Sequence, residues 1–134
     1  MQLALADPAR VASLVVADIA PVAYAAHHDA VFAALAAVDT GNCASRDAAA
    51  SLMAQYLHDP GVIQFLLTSL QREASGTYRW RFDLAGIRAA YPALLAAPPG
   101  DDAYPGPVLF IRGGASDYIR DVHWPAIRNG FPAP

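Results

Sequence analysis

The sequence predicts an α/β protein in which a helical segment is inserted between two parallel strands. Residues 11–17 and 108–111 are short apolar runs without polar alternation, which is typical of strands buried on both faces of a parallel sheet. Roughly ninety residues separate the two runs, whereas a parallel connection needs only about a dozen. Most of the connection is therefore expected to be an inserted helical subdomain.

The segments that flank the insertion are predicted to be a helix, the two strands and a last helix. Residues 1–6 are interpreted as the end of a helix. Pro8 ends this helix, because the residue before a proline disfavours helical backbone angles. Pro21 prevents the first strand from continuing, because proline has no backbone N–H for the ladder. The last helix is predicted over residues 117–129, with Gly130 as its C-terminal stop.

The first part of the insertion shows helical periodicity and clear start signals. Residues 28–38 carry an apolar stripe, and residues 45–57 form a second predicted helix with Ser45 as its N-cap. A third helix is predicted to begin at Asp59, because proline follows at the first helical position. Its apolar stripe extends to Leu70.

The second part of the insertion is predicted to be an extended segment and a fourth helix. Residues 78–82 alternate aromatic and arginine side chains, and Asp83 caps the helix predicted over residues 84–95. Residues 98–107 form a loop rich in proline and glycine. We predict one partial domain, residues 1–134, with core pieces at 1–26 and 107–134 and a helical cap at 27–97. An insertion at the carboxyl ends of parallel strands is where a lid over an active site is expected.

Composition excludes several classes of protein. Hydrophobic residues make up 55% of the chain, which is too apolar for a disordered protein. The net charge is -3 and the nine basic residues, all arginines, are dispersed, so nucleic acid is not expected as a partner. Asp7, Pro8 and Arg10 interrupt the apolar start, which predicts neither a signal peptide nor a membrane span and favours a cytoplasmic location.

No metal or cofactor site is predicted. Cys43 is the single cysteine, so an internal disulfide is excluded and a zinc site is not expected. The adjacent His27 and His28 point in different directions on a helix, which disfavours a shared metal. Gly113 and Gly114 follow the second strand and are interpreted as a tight strand-to-helix turn rather than an anion-binding loop.

Four segments of the chain point together to one family. They are residues 18–22 (DIAPV), 64–67 (QFLL), 78–81 (YRWR) and 109–118 (LFIRGGASDY). In order and spacing they resemble α/β-hydrolases that act on small esters, the YbfF/ABHD11-like esterases, and the resemblance covers nearly the whole chain. It implies a partial parallel sheet with an inserted helical lid, a Ser-Asp-His triad, and a small acyl-ester or thioester substrate.

The chain departs from this family at two catalytic positions. No serine is flanked by glycines in the G-x-S-x-G pattern of the family's nucleophile elbow. His123 and Trp124 echo the family's Gly-His-Trp segment, but Val122 precedes them and they fall within a predicted helix. The resemblance therefore implies an internal fragment that carries the acid and the lid and is inactive alone. The alternatives are a non-catalytic binding or assembly module and an inactive remnant.

Two aspartates are candidates for the triad acid. Asp18 follows the first strand at its carboxyl end, where ligands collect in open parallel sheets. The resemblance implies that it orients a histidine; otherwise it is a turn aspartate that bonds to the backbone before Pro21. Asp117 follows the second strand and is the alternative acid, or else the cap of the last helix. A triad needs one carboxylate, so the other aspartate would be structural.

Further hypotheses concern substrate, nucleophile and association. Four apolar side chains are candidates for lining an acyl pocket, with a simple core role as the alternative: Phe65, Leu66, Trp80 and Phe82. Ser116 is the single serine expected near the carboxyl end of a strand and is the fallback nucleophile. Unpaired strand edges and exposed apolar faces predict self-association, as a homodimer or larger aggregates.

Overall fold

The computed structural model describes residues 1–41, 43–100 and 102–132. Asn42 of the predicted insertion, Asp101 of the predicted loop, and residues 133 and 134 lie outside these ranges. In chain order the elements are α1 (Gln2–Ala6), β1 (Leu14–Ala17), α2 (Asp29–Thr40), α3 (Arg46–Met53), α4 (Pro60–Leu67), β2 (Leu70–Arg72), β3 (Tyr78–Trp80), α5 (Leu84–Leu95), β4 (Val108–Ile111) and α6 (Trp124–Gly130). Short 3-10 helices span Pro8–Arg10 and Asp121–His123.

The backbone divides into two compact units. The first unit comprises Met1–Tyr24 and Leu95–Pro134, and the second unit comprises Ala25–Leu94. The second unit holds the helices of the predicted insertion, and its assignment as a lid stays a prediction. In the part of the chain that the structure describes, no helix has both the length and the apolar character that a membrane crossing requires.

The first unit contains the predicted pair of parallel strands. β1 pairs with β4 in parallel, with Leu14 opposite Val108 and Ala17 opposite Ile111. The architecture of a partial α/β fold is therefore confirmed. β1 is shorter than the predicted residues 11–17, because Val11 still closes the 3-10 helix with an N–H bond to the Pro8 carbonyl.

Only one face of this sheet is buried, so the prediction of strands buried on both faces is wrong. Val15 is 62% exposed and Leu109, its partner in the register, is 56% exposed. Successive side chains of a strand point to opposite faces, which places Val16 and Phe110 on the covered face. That face packs against α1 in a cluster that includes Leu5, Tyr104 and Phe131.

The last helix begins later than predicted. α6 spans Trp124–Gly130, and the 3-10 helix Asp121–His123 precedes it, whereas the sequence pattern predicted a helix over residues 117–129. Pro125 explains the difference, because a residue without an N–H is tolerated in the first turn of a helix but not in its interior. Asp117 therefore does not cap the last helix, and His123 occupies the N-cap position rather than a place inside the helix.

The second unit contains the four predicted helices with the predicted caps, although α3 ends at Met53 and not at residue 57. Ser45 Oγ accepts a hydrogen bond from the Ala48 N–H at 3.0 Å and so begins α3. Asp59 Oδ1 accepts from the Gly61 N–H at 2.7 Å at the start of α4. Asp83 Oδ1 accepts from the Gly86 N–H at 2.9 Å beside α5. Each bond satisfies an N–H that has no partner within its helix.

The second unit also contains a β-hairpin that the sequence pattern missed. Leu70, predicted to continue the stripe of the third helix, begins β2 and pairs with Trp80 of β3 in an antiparallel ladder. The Arg46 guanidinium ends α4 by donating to the carbonyls of Leu67 and Leu70. Trp80 and Arg46 are distant from Leu70 in the sequence, so no local pattern at Leu70 indicates the change from helix to strand.

Candidate active site

The carboxyl ends of β1 and β4 meet at Asp18. The Asp18 N–H donates to the Ile111 carbonyl at 2.7 Å, one residue beyond the ladder. In return, the Gly113 N–H donates to Asp18 Oδ1 at 2.9 Å. The two strands are parallel and in register, so their exit loops lie side by side. Asp18 therefore lies where the sequence analysis placed it, at the carboxyl edge of the sheet.

Asp18 adopts a backbone conformation that few residues tolerate. Its φ is +52°, which makes it the one non-glycine residue with a positive φ in the described ranges. Aspartate is enriched in this left-handed region relative to most residues, yet the conformation still stores strain. Such strain persists where surrounding bonds determine the conformation, and it concentrates at functional sites.

The surroundings of the Asp18 carboxylate favour its ionised form. The Ser116 hydroxyl and then the Gly113 N–H lower the pKa of Asp18 by hydrogen bonding, and the nearby Arg112 guanidinium adds a smaller effect in the same direction. Partial desolvation opposes them without reversing the result. The carboxylate is therefore a poor proton acceptor and a persistent negative charge.

Close packing around Asp18 explains one of the two glycines after β4. A Cβ added at Gly113 would lie 2.9 Å from the Ser116 Cβ and 3.2 Å from each carboxylate oxygen of Asp18. At Gly114 an added Cβ would meet no atom within 4 Å. Gly113 is thus required by the close approach of two loops, a constraint that the Gly-Gly pattern alone does not assign to either residue.

Tyr24 is a contact of this site that the sequence analysis missed. Its hydroxyl accepts a hydrogen bond from the Ala20 N–H at 2.7 Å and donates one to the Tyr118 carbonyl at 2.6 Å. It therefore connects the loop after β1 to the loop after β4. The signal in the sequence is weak, because a tyrosine six residues after Asp18 in a proline-containing loop has no local pattern to mark it.

Comparisons with known proteins show that the chain is similar to esterases and lipases. The chain is 38% identical to esterase YbfF of Escherichia coli (strain K12) over 124 residues, which are 92% of this chain and 46% of that protein. It is 35% identical to the Mus musculus sn-1-specific diacylglycerol lipase ABHD11 over 138 residues, covering 98% of this chain and 45% of the relative. The solved structure of a marine microorganism esterase matches with a TM-score of 0.88 at 31% identity, over 96% of this chain and 52% of that one. The chain is homologous to the α/β-hydrolase esterases. No model of a protein family matches it.

The chain spans about half the length of the curated relatives that it matches. The resemblance inferred from the DIAPV, QFLL, YRWR and LFIRGGASDY segments is confirmed by these relatives and by the solved esterase. With the parallel pair of β1 and β4, the structure is a partial α/β-hydrolase fold.

The other polar candidates are not equivalent to Asp18. Asp117 lies in a bend beyond β4, and its side chain is exposed. His123 is buried, and its Nδ1 lies 3.2 Å from both the Arg120 N–H nitrogen and the Tyr118 carbonyl oxygen. Ser116 Oγ accepts from the Tyr118 N–H at 3.2 Å, and the Ser116 hydroxyl lowers the pKa of Asp18. Ser116 is thus placed as a partner of Asp18.

The four residues predicted to line an acyl pocket lie in the second unit in different surroundings. Trp80 is buried, donates its Nε1–H to the Leu35 carbonyl at 2.9 Å, and stacks on Phe82 at 5.4 Å between ring centroids. Leu66 packs partly buried against the same core, whereas Phe65 is 71% exposed. An open groove on this unit lies between α3 and α4, and none of the four residues lines it.

No group of three or more histidine, cysteine, aspartate or glutamate side chains in the described residues is arranged to hold a metal ion. Cys43 is buried in the core of the second unit. His28 Nδ1 lies 2.6 Å from the Tyr91 hydroxyl, so this ring takes part in packing between α2 and α5.

Proposed function

We propose that this chain supplies the acid and the lid of a serine-dependent acyl-ester hydrolase, of the carboxylesterase or thioesterase kind. The observation that carries the proposal is the position of Asp18, ionised and hydrogen-bonded at the carboxyl ends of two parallel strands. In open α/β sheets this edge is where catalytic groups and ligands meet. The homology to esterases supports the same class of reaction.

The chemistry that Asp18 would perform follows from its charge. In a Ser-His-Asp triad the histidine takes the serine proton, and the carboxylate fixes the histidine tautomer and stabilises the imidazolium. An ionised carboxylate offers about four lone-pair sites. Hydrogen bonds from Gly113 and Ser116 leave acceptor capacity on Asp18 for an imidazole N–H. The lowered pKa favours the ionised form that this role requires.

In this proposal the second unit, Ala25–Leu94, acts as the lid. It is inserted in the chain between β1 and β4, directly after the loop that carries Asp18. Its core is built from its own helices and hairpin, as a subdomain added to a sheet would require. Phe65, Leu66, Trp80 and Phe82 remain the proposed acyl-contacting residues, and Phe65 is the most accessible of them.

The chain by itself is proposed to be inactive. A serine nucleophile needs a general base and an oxyanion hole, and the G-x-S-x-G elbow that would provide the serine is absent from the sequence. Ser116 is the fallback nucleophile, but the nearby carboxylate of Asp18 has a lowered pKa. A weak base of this kind does not activate a hydroxyl.

The first experiment measures the purified chain alone. We expect no hydrolysis of short acyl esters above background and no stoichiometric labelling by a fluorophosphonate. The Ser116→Ala variant is assayed beside it. Saturable turnover that disappears in this variant would show an active site built around Ser116 and would contradict the proposal of inactivity.

The second experiment places the chain in a complete fold. The 124-residue segment of Escherichia coli esterase YbfF that matches this chain is replaced by the chain itself. We expect the chimera to hydrolyse esters and Asp18→Asn to lower kcat by about 10⁴-fold, as loss of the carboxylate does in a serine protease triad. Asp117→Asn should change kcat only a few-fold. A large loss from Asp117→Asn with little from Asp18→Asn would assign the acid to the alternative position.

A thermal-shift screen separates the two remaining alternatives. A non-catalytic binding module should gain thermal stability with fatty-acyl ligands, because a ligand that binds only the folded state stabilises it. An inactive remnant should show no shift with any of them.

A further inference from the structure

We propose that Tyr24 is a positioning residue of the Asp18 site, because its hydroxyl closes a ring of hydrogen bonds that holds the two exit loops together. The inference rests on the proposed role of Asp18 as the acid. Tyr24 is not proposed to touch the substrate or any reacting atom. It acts through the loop that carries the carboxylate.

The ring begins and ends on the loop after β1. The Gly113 N–H donates to Asp18 Oδ1 at 2.9 Å, and the Ser116 N–H donates to the Gly113 carbonyl at 3.2 Å. The Tyr118 N–H donates to Ser116 Oγ at 3.2 Å. The Tyr24 hydroxyl donates to the Tyr118 carbonyl and accepts from the Ala20 N–H, two residues after Asp18.

Tyr24 joins the two loops at a second point, between Ala20 and Tyr118. Without its hydroxyl, the loops would remain connected through the Gly113–Asp18 bond but would be free to splay at Ala20 and Tyr118. Ala20 is buried, so its N–H would lose a partner in a place that water reaches poorly. A strained residue such as Asp18 depends on such surrounding bonds to keep its conformation.

The tyrosine ring itself is held by aromatic neighbours. Its centroid lies 5.5 Å from that of Tyr118, with the planes at 57°, and 6.2 Å from that of His123 in an edge-on arrangement. Phenylalanine at position 24 keeps these contacts and removes only the hydroxyl. Ionisable groups near the site include the Arg112 guanidinium, which pairs with Asp121 at 2.7 Å, and the His123 imidazole, which contacts the Tyr24 ring.

The chain also offers a matched control. Tyr104 belongs to the same unit, is buried, and donates its hydroxyl to the Val11 carbonyl at 3.0 Å. Tyr104→Phe therefore removes one buried tyrosine hydrogen bond without touching the ring around Asp18. A difference between the two variants isolates positioning from a general loss of stability.

The experiment titrates the Asp18 carboxyl carbon by NMR in the unmodified chain, Tyr24→Phe and Tyr104→Phe. We expect the pKa of Asp18 to rise in Tyr24→Phe, because the bonds from Gly113 and Ser116 loosen, and to stay unchanged in Tyr104→Phe. An unchanged pKa in Tyr24→Phe, or an equal rise in both variants, would overturn the proposal.

A second measurement covers the case in which Tyr24→Phe fails to fold. In the unmodified chain the ring predicts slow hydrogen exchange of the Ala20 and Gly113 amides, whereas the exposed Gly114 amide should exchange faster. Fast exchange at Ala20 would contradict the ring. These readouts are independent of catalysis, so they would stand even if the YbfF chimera proved inactive and the proposed acid role of Asp18 were wrong.

Discussion

The two units of this chain differ in how they bury their apolar side chains. The second unit packs its helices and hairpin around one cluster of buried side chains: Ala34, Leu35, Val38, Cys43, Ala49, Met53, Ile63, Leu67, Leu70 and Trp80. The first unit has two smaller clusters on one face of its sheet and leaves Val15, Leu109 and Ile111 exposed on the other. Both units have apolar sequences, so hydrophobic composition does not account for the difference.

The difference lies in where the packing partners come from. Helices joined by short connections meet their neighbours within the same stretch of chain, so a helical segment can close its own core. A parallel strand must pair with strands that are distant in sequence, and both faces of a parallel sheet are normally covered by further elements. Two strands present a covered face and an open one. An apolar run therefore predicts a strand buried on both faces only when elements of the same chain cover both faces of its sheet.

Truncation of a side chain in the core of the second unit should give the largest loss in the free energy of unfolding. Trp80→Ala removes a buried aromatic side chain and its bond to Leu35, so the free energy of unfolding should fall by about 3–5 kcal/mol. Phe65→Ala, at an exposed position of the same unit, should change it by no more than about 0.5 kcal/mol. Urea unfolding followed by circular dichroism measures both. Equal losses would contradict the distinction between core and surface drawn for these two aromatics.

The exposed sheet face should drive self-association. Leu109→Lys places a charge on this face, and burial of one leucine is worth about 1.5–3 kcal/mol. The dissociation constant of the self-associated form should therefore rise roughly ten-fold to one hundred-fold. Light scattering over a range of concentrations tests this, with Phe65→Lys on the second unit as the control. A single monomeric mass for the unmodified chain at every concentration would rule out association through this face.

The two glycines after β4 should respond differently to alanine. Gly113→Ala forces a Cβ against Ser116 and the Asp18 carboxylate, which should cost about 1–3 kcal/mol of stability and raise the pKa of Asp18. Gly114→Ala meets open space and should change stability by about 0.5 kcal/mol or less. Chemical unfolding and carboxyl NMR of the two variants give the comparison. Similar behaviour of both variants would mean that the loops are not tightly packed at Gly113.

The smallest expected effects are losses of stability at acidic pH, which have a different cause in each unit. The pKa of His28 is lowered by burial and by the charge of His27, so the unfolded chain binds that proton more readily. The second unit should therefore lose some stability as the pH falls below the ordinary range of histidine. The lowered pKa of Asp18 stabilises the first unit above the ordinary range of aspartate, and this contribution should be lost at lower pH. Amide exchange resolves the two units, with His28→Gln and Asp18→Asn as the variants that remove each dependence.

The sequence by itself determined the features that depend on local bonds. Ser45, Asp59 and Asp83 cap their helices through bonds to amides two or three residues away, so their signals are contained in short stretches of chain. The apolar run of β4 was predicted with the bounds that the structure has. Asp18 was predicted at a strand end, because the end of β1 follows from its composition and from Pro21.

Tertiary structure decided the features whose partners are distant along the chain. Leu70 lies in a strand and not in a helix, because Trp80 pairs with it and Arg46 ends the preceding helix. The open face of the sheet, the close approach at Gly113 and the bridge made by Tyr24 depend on which loops and strands meet. A hydrogen bond across ninety-four residues, from Tyr24 to Tyr118, has no periodicity and no neighbouring signal. It exists because β1 and β4 are parallel and in register, which brings their exit loops together.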